Sequence, residues 1–266
     1  MQMKNIVWLA SYPKSGNTWL RAVLSFALYN NLDINKLNIK SLNNIIKNLY
    51  PNHDRKEPGE VKNYWDIAQQ TISKNAGANN VIIKTHNIFG NIGGINFPNK
   101  EFTSKIIYIV RDPRDVSISY SQHFGIDLNT AVERLLKETN FIFDNENNLG
   151  EVLSSWQNHV NSWTNSDIPK IIIKFEDLIV DPQSIIIKLF HFLKIKPLIS
   201  VDKIIEKTSF KNLQDKEKKT GFAETSSKTS LFFRNGNKDQ WIKYDKKKFK
   251  PLTANFRQTM KLFNYI

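Results

Sequence analysis

Four short runs of apolar residues, rich in isoleucine and valine, constrain the fold of this chain more than any other feature of its sequence. Each run has only four or five residues and contains few polar side chains. That pattern is typical of strands that are covered on both faces, as in a parallel sheet. The runs occupy residues 6–10, 81–84, 106–110 and 171–175.

Helical patterns follow three of these runs. Apolar side chains recur at helical spacing over residues 19–28 and 116–124. A third helix is predicted over residues 185–193, and Asp181-Pro182 is a typical start for it. Because strands alternate with helices, we predict an α/β fold with a central, mostly parallel sheet flanked by helices.

Composition excludes several classes of protein. The 266 residues suffice for one substantial core, and 38 Lys and Arg against 25 Asp and Glu give a net charge of +13, which favours an anionic partner. The absence of cysteine excludes a disulfide scaffold, a thiolate nucleophile, an iron–sulfur cluster and sulfur-ligated zinc. No apolar run reaches ~18 residues, so we expect no membrane span and no signal peptide, and we predict a cytoplasmic protein.

The chain carries no internal repeat and no linker rich in proline or serine, so we predict one domain over residues 1–266. Three polar segments with weak periodicity are predicted as insertions or a lid on the substrate side of that domain. They cover residues 31–79, 126–150 and 214–233.

A polar loop joins the first apolar run to the first predicted helix. A loop of this kind, leading from a strand into a helix, places amide N–H groups and the positive end of the helix dipole around an anion. A nucleotide hydrolase loop would place its lysine after the second glycine, whereas here Lys14 precedes the one glycine. The alternative is an ordinary capped helix with Lys14 in solvent. The residues predicted to hold a phosphate are Lys14, Ser15, Gly16, Asn17 and Thr18.

Two other predicted strands also end in residues that suit chemistry on an anion. Arg111 follows the third run and can donate a fork of hydrogen bonds to a phosphate, while Ser119 adds a hydroxyl eight residues later. The alternative is that Arg111 pairs with Asp115 or Glu133 on a surface. Lys84-Thr85-His86 ends the second run, and a neutral imidazole is the usual general base near pH 7.

These motifs together resemble those of cytosolic-type sulfotransferases, which use 3′-phosphoadenosine 5′-phosphosulfate (PAPS). Tyr-Pro-Lys-Ser-Gly-Asn-Thr-Trp, at residues 12–19, resembles their 5′-phosphosulfate loop. The interval from Arg111 to Ser119 resembles their 3′-phosphate motif, and Lys-Thr-His is similar to their catalytic segment. The resemblance implies that His86 is the base, that Lys84 supports the sulfuryl group and that Lys14 stabilises the leaving phosphate. It also implies that Ser119 contacts the 3′-phosphate and holds Lys14 away until an acceptor arrives.

Further segments resemble the adenine and 3′-phosphate contacts of the family. Phe175 stands where the family usually has a tyrosine near the adenine, and Phe210 resembles a phenylalanine that stacks on adenine opposite Trp19. The alternative is that Trp19 and Phe210 are ordinary core residues. The segment of Arg234, Asn235 and Gly236 resembles a 3′-phosphate loop, although Asn235 replaces a basic residue.

The function implied by the resemblance is transfer of a sulfuryl group from PAPS to a hydroxyl or amine of a small-molecule acceptor, without a metal. The alternatives are a P-loop-type nucleotide kinase and a basic nucleic-acid-binding protein; we expect no nucleic acid partner. The sequence leaves open whether the acceptor is a phenol, an alcohol, a lipid, a sugar or an amine, and it leaves the oligomeric state open.

We assign Arg114 to the surface and no function to His53, His123, His159 and His191.

Overall fold

The computed structural model of the chain describes residues 4–50, 62–142, 150–234 and 236–266. Its main sheet has four strands, one from each of the apolar runs, and the first run pairs in parallel with the second and the third. This confirms the predicted α/β fold with a central parallel sheet. In chain order the strands are β1 (Ile6–Ser11), β2 (Val81–Thr85), β3 (Gly90–Ile92), β4 (Ile95–Phe97), β5 (Thr103–Val110), β6 (Phe141–Ile142), β7 (Glu151–Val152) and β8 (Lys170–Lys174).

Twelve α-helices lie within the described residues, and one of them begins at its predicted start, Asp181-Pro182. Asp181 caps one helix by accepting from the amide of Ser184, and Asp112 caps another by accepting from the amide of Arg114. The helices are α1 (Asn17–Tyr29), α2 (Leu42–Leu49), α3 (Trp65–Ala76), α4 (Pro113–Phe124), α5 (Leu128–Leu136), α6 (Trp156–Thr164), α7 (Phe175–Val180), α8 (Pro182–Leu193), α9 (Val201–Lys207), α10 (Phe210–Thr220), α11 (Lys250–Asn255) and α12 (Arg257–Leu262).

The four strands of the main sheet have the order β2-β1-β5-β8. Every residue of β1 is buried, as expected for a strand with neighbours on both edges and cover on both faces. The fourth run differs from the prediction, because β8 lies at the edge of the sheet and Ile172 is 39% exposed. Phe175, predicted as the last residue of this run, begins α7 instead.

The chain divides into two compact units, and the first contains Met1–Tyr12, Lys40–Ile109 and Arg134–Ile172. In this unit α3 packs on β1 and β2, and α2 packs on β2 and α3. Both helices come from the segment 31–79 that was predicted as a substrate-side insertion; residues 51–61 of that segment lie outside the described residues. The core of this unit is aromatic: Trp8 and Trp65 both contact Phe97, at 5.2 and 4.8 Å between ring centroids.

The second unit contains Pro13–Ile39, Val110–Glu133 and Ile173–Ile266. Here α1 contacts α9, and α7 contacts α8. Its apolar cluster joins α1 and α10 to the segment 222–233, which was predicted as part of a lid, so that segment is anchored by its own aromatic side chains. The cluster consists of Ala22, Ile34, Leu37, Leu213, Phe222 and Phe233.

That the chain forms a single domain stays a prediction.

None of the helices among the described residues has the length and hydropathy needed to cross a membrane.

Candidate active site

The register of β1 and β2 decides the position of His86. Ala10 pairs with Thr85, so the next residues, Ser11 and His86, lie side by side. Nδ1 of His86 lies 2.7 Å from the carbonyl oxygen of Ser11 and 3.3 Å from its hydroxyl oxygen. Because a carbonyl oxygen only accepts, Nδ1 carries a proton, and in the neutral ring Nε2 then carries the lone pair. This is the tautomer in which Nε2 can act as a base.

A buried carboxylate contacts both of the predicted catalytic residues at the end of β2. Oε1 of Glu151 accepts a hydrogen bond from the backbone amide of His86 at 2.7 Å. Oε2 of the same side chain lies 3.2 Å from Nζ of Lys84. Lys84 therefore forms an ion pair with a buried acid, and this one acidic side chain links it to His86.

The carbonyl side of His86 is held by a second histidine. His159, on α6, donates from Nε2 to the carbonyl oxygen of His86 at 2.9 Å, and its Nδ1 accepts from the hydroxyl of Tyr108 at 2.9 Å. Burial lowers the pKa of His159 to about 4, so its ring is neutral at pH 7 and has one N–H to donate. Hydrogen bonds therefore hold the His86 backbone on both its amide and its carbonyl side.

The predicted phosphosulfate loop has the backbone of an anion site. Lys14 and Gly16 both have positive φ, at 67° and 103°, and α1 starts directly after Gly16 without a side-chain cap. A Cβ at Gly16 would lie 2.5 Å from the ring of Phe175, so this position needs glycine for both its conformation and its contact. Among the described residues, the buried hydroxyl of Ser15 has no hydrogen-bond partner. This donor at a helix N-terminus suits an anion.

Arg111 lies directly after β5 and braces this loop. Its Nη1 donates to the carbonyl oxygen of Lys14 at 3.1 Å, and its guanidinium lies 4.2 Å from the centroid of the Phe175 ring. Asp115 is 3.8 Å from its Nη2. Burial lowers the pKa of Arg111, and Asp115 opposes that effect. Within the described part of the chain, Nε of Arg111 is buried and lacks a hydrogen-bond partner.

Side chains of the 214–233 segment contact the loop residues directly. Nζ of Lys14 lies 4.0 Å from the centroid of the Phe232 ring, and His123 meets that ring edge to face at 5.9 Å. Burial and the charge of Lys14 lower the pKa of His123 to about 3. Glu224 accepts from the Thr18 hydroxyl at 3.1 Å and pairs with Arg21 at 2.5 Å. The Thr18 hydroxyl, which was predicted to bind a phosphate, therefore donates its hydrogen bond to the carboxylate of Glu224.

The aromatic residues predicted to hold adenine contact one another. Trp19 meets Phe210 edge to face, with 5.7 Å between centroids and 77° between planes, and it meets Phe175 at 5.9 Å and 76°. Two parallel rings with a base between them would be about 7 Å apart. The rings of Trp19 and Phe210 are closer together than that and nearly perpendicular, so they do not form two parallel faces for a base. Phe175 is only 2% exposed, so its ring supports Gly16 and Arg111 rather than presenting a face to a base.

The remaining predicted residues lie in the second unit. Ser119 is half-buried on α4, two turns after Arg111, and Arg234 is half-buried with its pKa lowered by burial. Gly236 has a φ of 56°, and a Cβ there would lie 2.4 Å from the ring of Phe210. Asn235 lies outside the described residues.

Comparisons with known proteins decide the family. The sulfotransferase domain family matches residues 4–263. The chain belongs to this family. Sulfotransferase 1E1 of Cavia porcellus is 31% identical over 241 residues, which cover 88% of this chain and 75% of that protein. Cytosolic sulfotransferase 8 of Arabidopsis thaliana is 28% identical over 249 residues, which cover 89% and 70% of the two chains.

Solved structures share the fold of this sulfotransferase. Mouse sulfotransferase SULT7A1 complexed with PAP has a TM-score of 0.63 at 23% identity, covering 97% of this chain and 84% of its own. Retinol dehydratase in complex with androsterone and inactive cofactor PAP has a TM-score of 0.64 at 18% identity, covering 96% of this chain and 80% of its own.

One assignment made for the sulfotransferase from its sequence is wrong, and one alternative is excluded. Arg114 is buried rather than on the surface, because it pairs with Asp112 at 2.5 Å, donates to the carbonyl oxygen of Tyr265 and lies over the ring of Trp241. The alternative in which Arg111 forms a surface ion pair is also wrong. Arg111 does lie near Asp115, but both side chains are buried.

Three residues that contact the predicted site were not predicted from the sequence: Glu151, His159 and Glu224. One signal was available: His159 and Trp163 lie four residues apart on α6, and both donate to the backbone that follows β2, at His86 and Asn87. A histidine and a tryptophan on one helix face can both donate hydrogen bonds to a neighbouring backbone. Their spacing in the sequence does not show which backbone groups accept those bonds. Glu151 carried no signal, because its ion pair spans 67 residues of sequence.

Proposed function

We propose that this sulfotransferase moves the sulfuryl group of PAPS to a hydroxyl or amine of a small-molecule acceptor. The observation that carries the proposal is the pair of buried donors without partners, the Ser15 hydroxyl and Nε of Arg111, in the described part of the chain. A buried donor without a partner is costly, and an anion that accepts from it removes that cost. Both atoms belong to residues whose motifs resemble phosphate contacts of the family.

The donor side of the reaction depends on the loop and on Arg111. PAPS supplies an activated sulfuryl group, with 3′-phosphoadenosine 5′-phosphate (PAP) as the leaving group. The hydroxyls of Ser15 and Thr18 and the N-terminal amides of α1 bind the 5′-phosphosulfate; Asn17 lies beside them. Lys14 stabilises the charge that develops on the leaving phosphate. Arg111, Ser119, Arg234, Asn235 and Gly236 bind the 3′-phosphate, and Trp19 and Phe210 form the surface near adenine. Phe175 acts from behind the site by packing on Gly16 and Arg111.

The acceptor side depends on His86 and Lys84. Nε2 of His86 takes the proton of the acceptor as its oxygen or nitrogen bonds to sulfur, while the bond from sulfur to the phosphate oxygen breaks. Lys84 stabilises charge on the sulfuryl oxygens. That no metal takes part stays a prediction. Because curated relatives are named cytosolic sulfotransferases, we propose the cytosol as the place of reaction.

Neither alternative function is favoured by the comparisons, which match the chain to sulfotransferases over almost its whole length. Calorimetric titration with PAP, and with ATP–Mg²⁺ in parallel, tests the proposal directly. We expect tight binding of PAP and much weaker binding of ATP–Mg²⁺. Equal binding of ATP–Mg²⁺ would favour the kinase, and absence of PAP binding would contradict the proposal.

Arg111→Ala sharpens the same titration. Loss of hydrogen bonds from a charged donor costs about 1.5–3 kcal/mol, so we expect PAP to bind roughly 10–150-fold more weakly. Arg257→Ala is the matched control, because Arg257 is exposed on α12. Arg111→Lys keeps the charge and separates the contribution of the guanidinium fork. An unchanged PAP affinity in a folded Arg111→Ala variant would remove Arg111 from the cofactor site.

A further inference from the structure

The carboxylate of Glu151 is only 4% exposed, and both of its oxygens point to residues of the predicted chemistry. Oε1 accepts from the His86 amide at 2.7 Å, and Oε2 lies 3.2 Å from the Lys84 ammonium. Burying a carboxylate is unfavourable unless it is paired and hydrogen-bonded. Here both conditions are met by the segment that ends β2.

Hydrogen bonds also join the backbone next to Glu151 to the residues that follow β2. The amide of Ile88 donates to the carbonyl oxygen of Val152 at 2.7 Å, and the amide of Val152 donates to Oδ1 of Asn87 at 2.9 Å. Strand β7 therefore runs beside the residues that follow His86. This backbone pairing would hold the chain in place whatever side chain stood at position 151, so it does not by itself require a buried acid there.

We propose that Glu151 is a positioning residue for sulfuryl transfer, which orients the Lys84 ammonium and the His86 peptide unit together. This inference rests on the proposed function. The ammonium group of Lys84 has three N–H donors in a fixed arrangement. The N–H groups that point at Glu151 therefore fix the direction of the other N–H groups. Oε1 meanwhile holds the peptide unit whose imidazole presents Nε2. A single carboxylate thus sets the geometry of both the supporting cation and the base.

The test compares Glu151→Gln with the exposed control Glu101→Gln. Glutamine keeps an oxygen for the His86 amide but removes the charge that holds Lys84. We expect kcat to fall by about 10–100-fold, as for other residues that orient a reactive group, with PAP affinity within about threefold of wild type. Turnover is measured as PAP released from PAPS, with the best acceptor from a panel of phenols, alcohols and amines. A folded Glu151→Gln variant with wild-type kcat would overturn the proposal.

A double-mutant cycle separates positioning from a structural role. If Glu151 acts through Lys84, then adding Glu151→Gln to Lys84→Met lowers kcat little further; fully additive losses would overturn the link to Lys84. The double variant also removes both charges of the pair, which protects the comparison if Glu151→Gln alone fails to fold. Glu151→Asp keeps the charge and is expected to recover part of the lost kcat. Failure of wild type to bind PAP would overturn the proposed function and this inference together, whereas PAP binding with unaltered Glu151→Gln turnover overturns this inference alone.

Discussion

The two groups of predicted site residues differ in where their polar atoms find partners. We call Ser11, Lys84, His86, Tyr108, Glu151 and His159 the base region, and residues 13–18 with Arg111 the anion loop. In the base region, protein groups hold the ring, the amide and the carbonyl of His86. In the anion loop, buried donors of Ser15 and Arg111 have no partner among the described residues.

The proposed function assigns two different tasks to these two groups of residues. A base must hold one tautomer before its substrate arrives, and hydrogen bonds to fixed backbone groups achieve that. An anion site must keep donors available, and doing so costs stability until the anion binds. Protein contacts therefore hold His86 on every side that the proposed role requires, whereas we expect a ligand to complete the anion loop.

Replacing His86 by alanine would test the first half of this comparison most strongly. We expect kcat to fall by about 10²–10⁴, because a general base contributes that much, while PAP binds as in wild type. Steady-state turnover and calorimetry measure the two effects separately. His191→Ala is the control, since His191 is exposed on α8. If loss of His86 left turnover intact, the base would have to be another group.

The low pKa of His159 predicts a pH-dependent stability. Burial lowers that pKa from an ordinary value near 6.5 to about 4, so the unfolded chain binds more protons than the folded chain between these values. His159 therefore contributes full stability above about pH 6.5, and that contribution is lost as pH falls toward 4. Between pH 7 and 5 the loss is about 2 kcal/mol.

Urea unfolding of wild type and His159→Gln at pH 7 and pH 5 measures this contribution. Burial raises the pKa of Asp115 to about 6 and also raises that of Glu176, and both acids give a slope of opposite sign. Wild type and variant both contain these two acids, so the difference between their losses in free energy of unfolding gives the contribution of His159. We expect the variant to lose about 2 kcal/mol less than wild type on acidification. Parallel losses would show that His159 titrates normally.

The smallest effect is expected on PAP affinity when Glu224, which contacts the anion loop, loses its charge. The Thr18 hydroxyl has one hydrogen, and in this structure Glu224 accepts it. A bound phosphate would compete with that carboxylate, so Glu224→Gln should strengthen PAP binding about fivefold, or ~1 kcal/mol. Calorimetry on Glu224→Gln and on the exposed control Glu206→Gln measures this. Weaker binding in Glu224→Gln would mean that the carboxylate supports the loop.

Local sequence predicted the features that depend on neighbouring residues. The strand runs, the Asp181 cap and the loop from Pro13 to Gly16 follow from apolar periodicity, capping chemistry and the backbone freedom of glycine. Arg114 was misassigned because nothing within a few residues of it indicates burial. Its partners include Tyr265 and Trp241, more than 100 residues away in sequence.

From the sequence, apolar periodicity predicted the α/β fold, and short motifs at the predicted strand ends resembled those of sulfotransferases, as the comparisons then confirmed. The protein groups that hold the residues of these motifs could be identified only from the folded structure. The tautomer of His86, the pairing of Lys84 with Glu151 and the occupation of Thr18 by Glu224 all depend on contacts between distant segments. Such contacts follow from strand register and packing, which local periodicity does not specify.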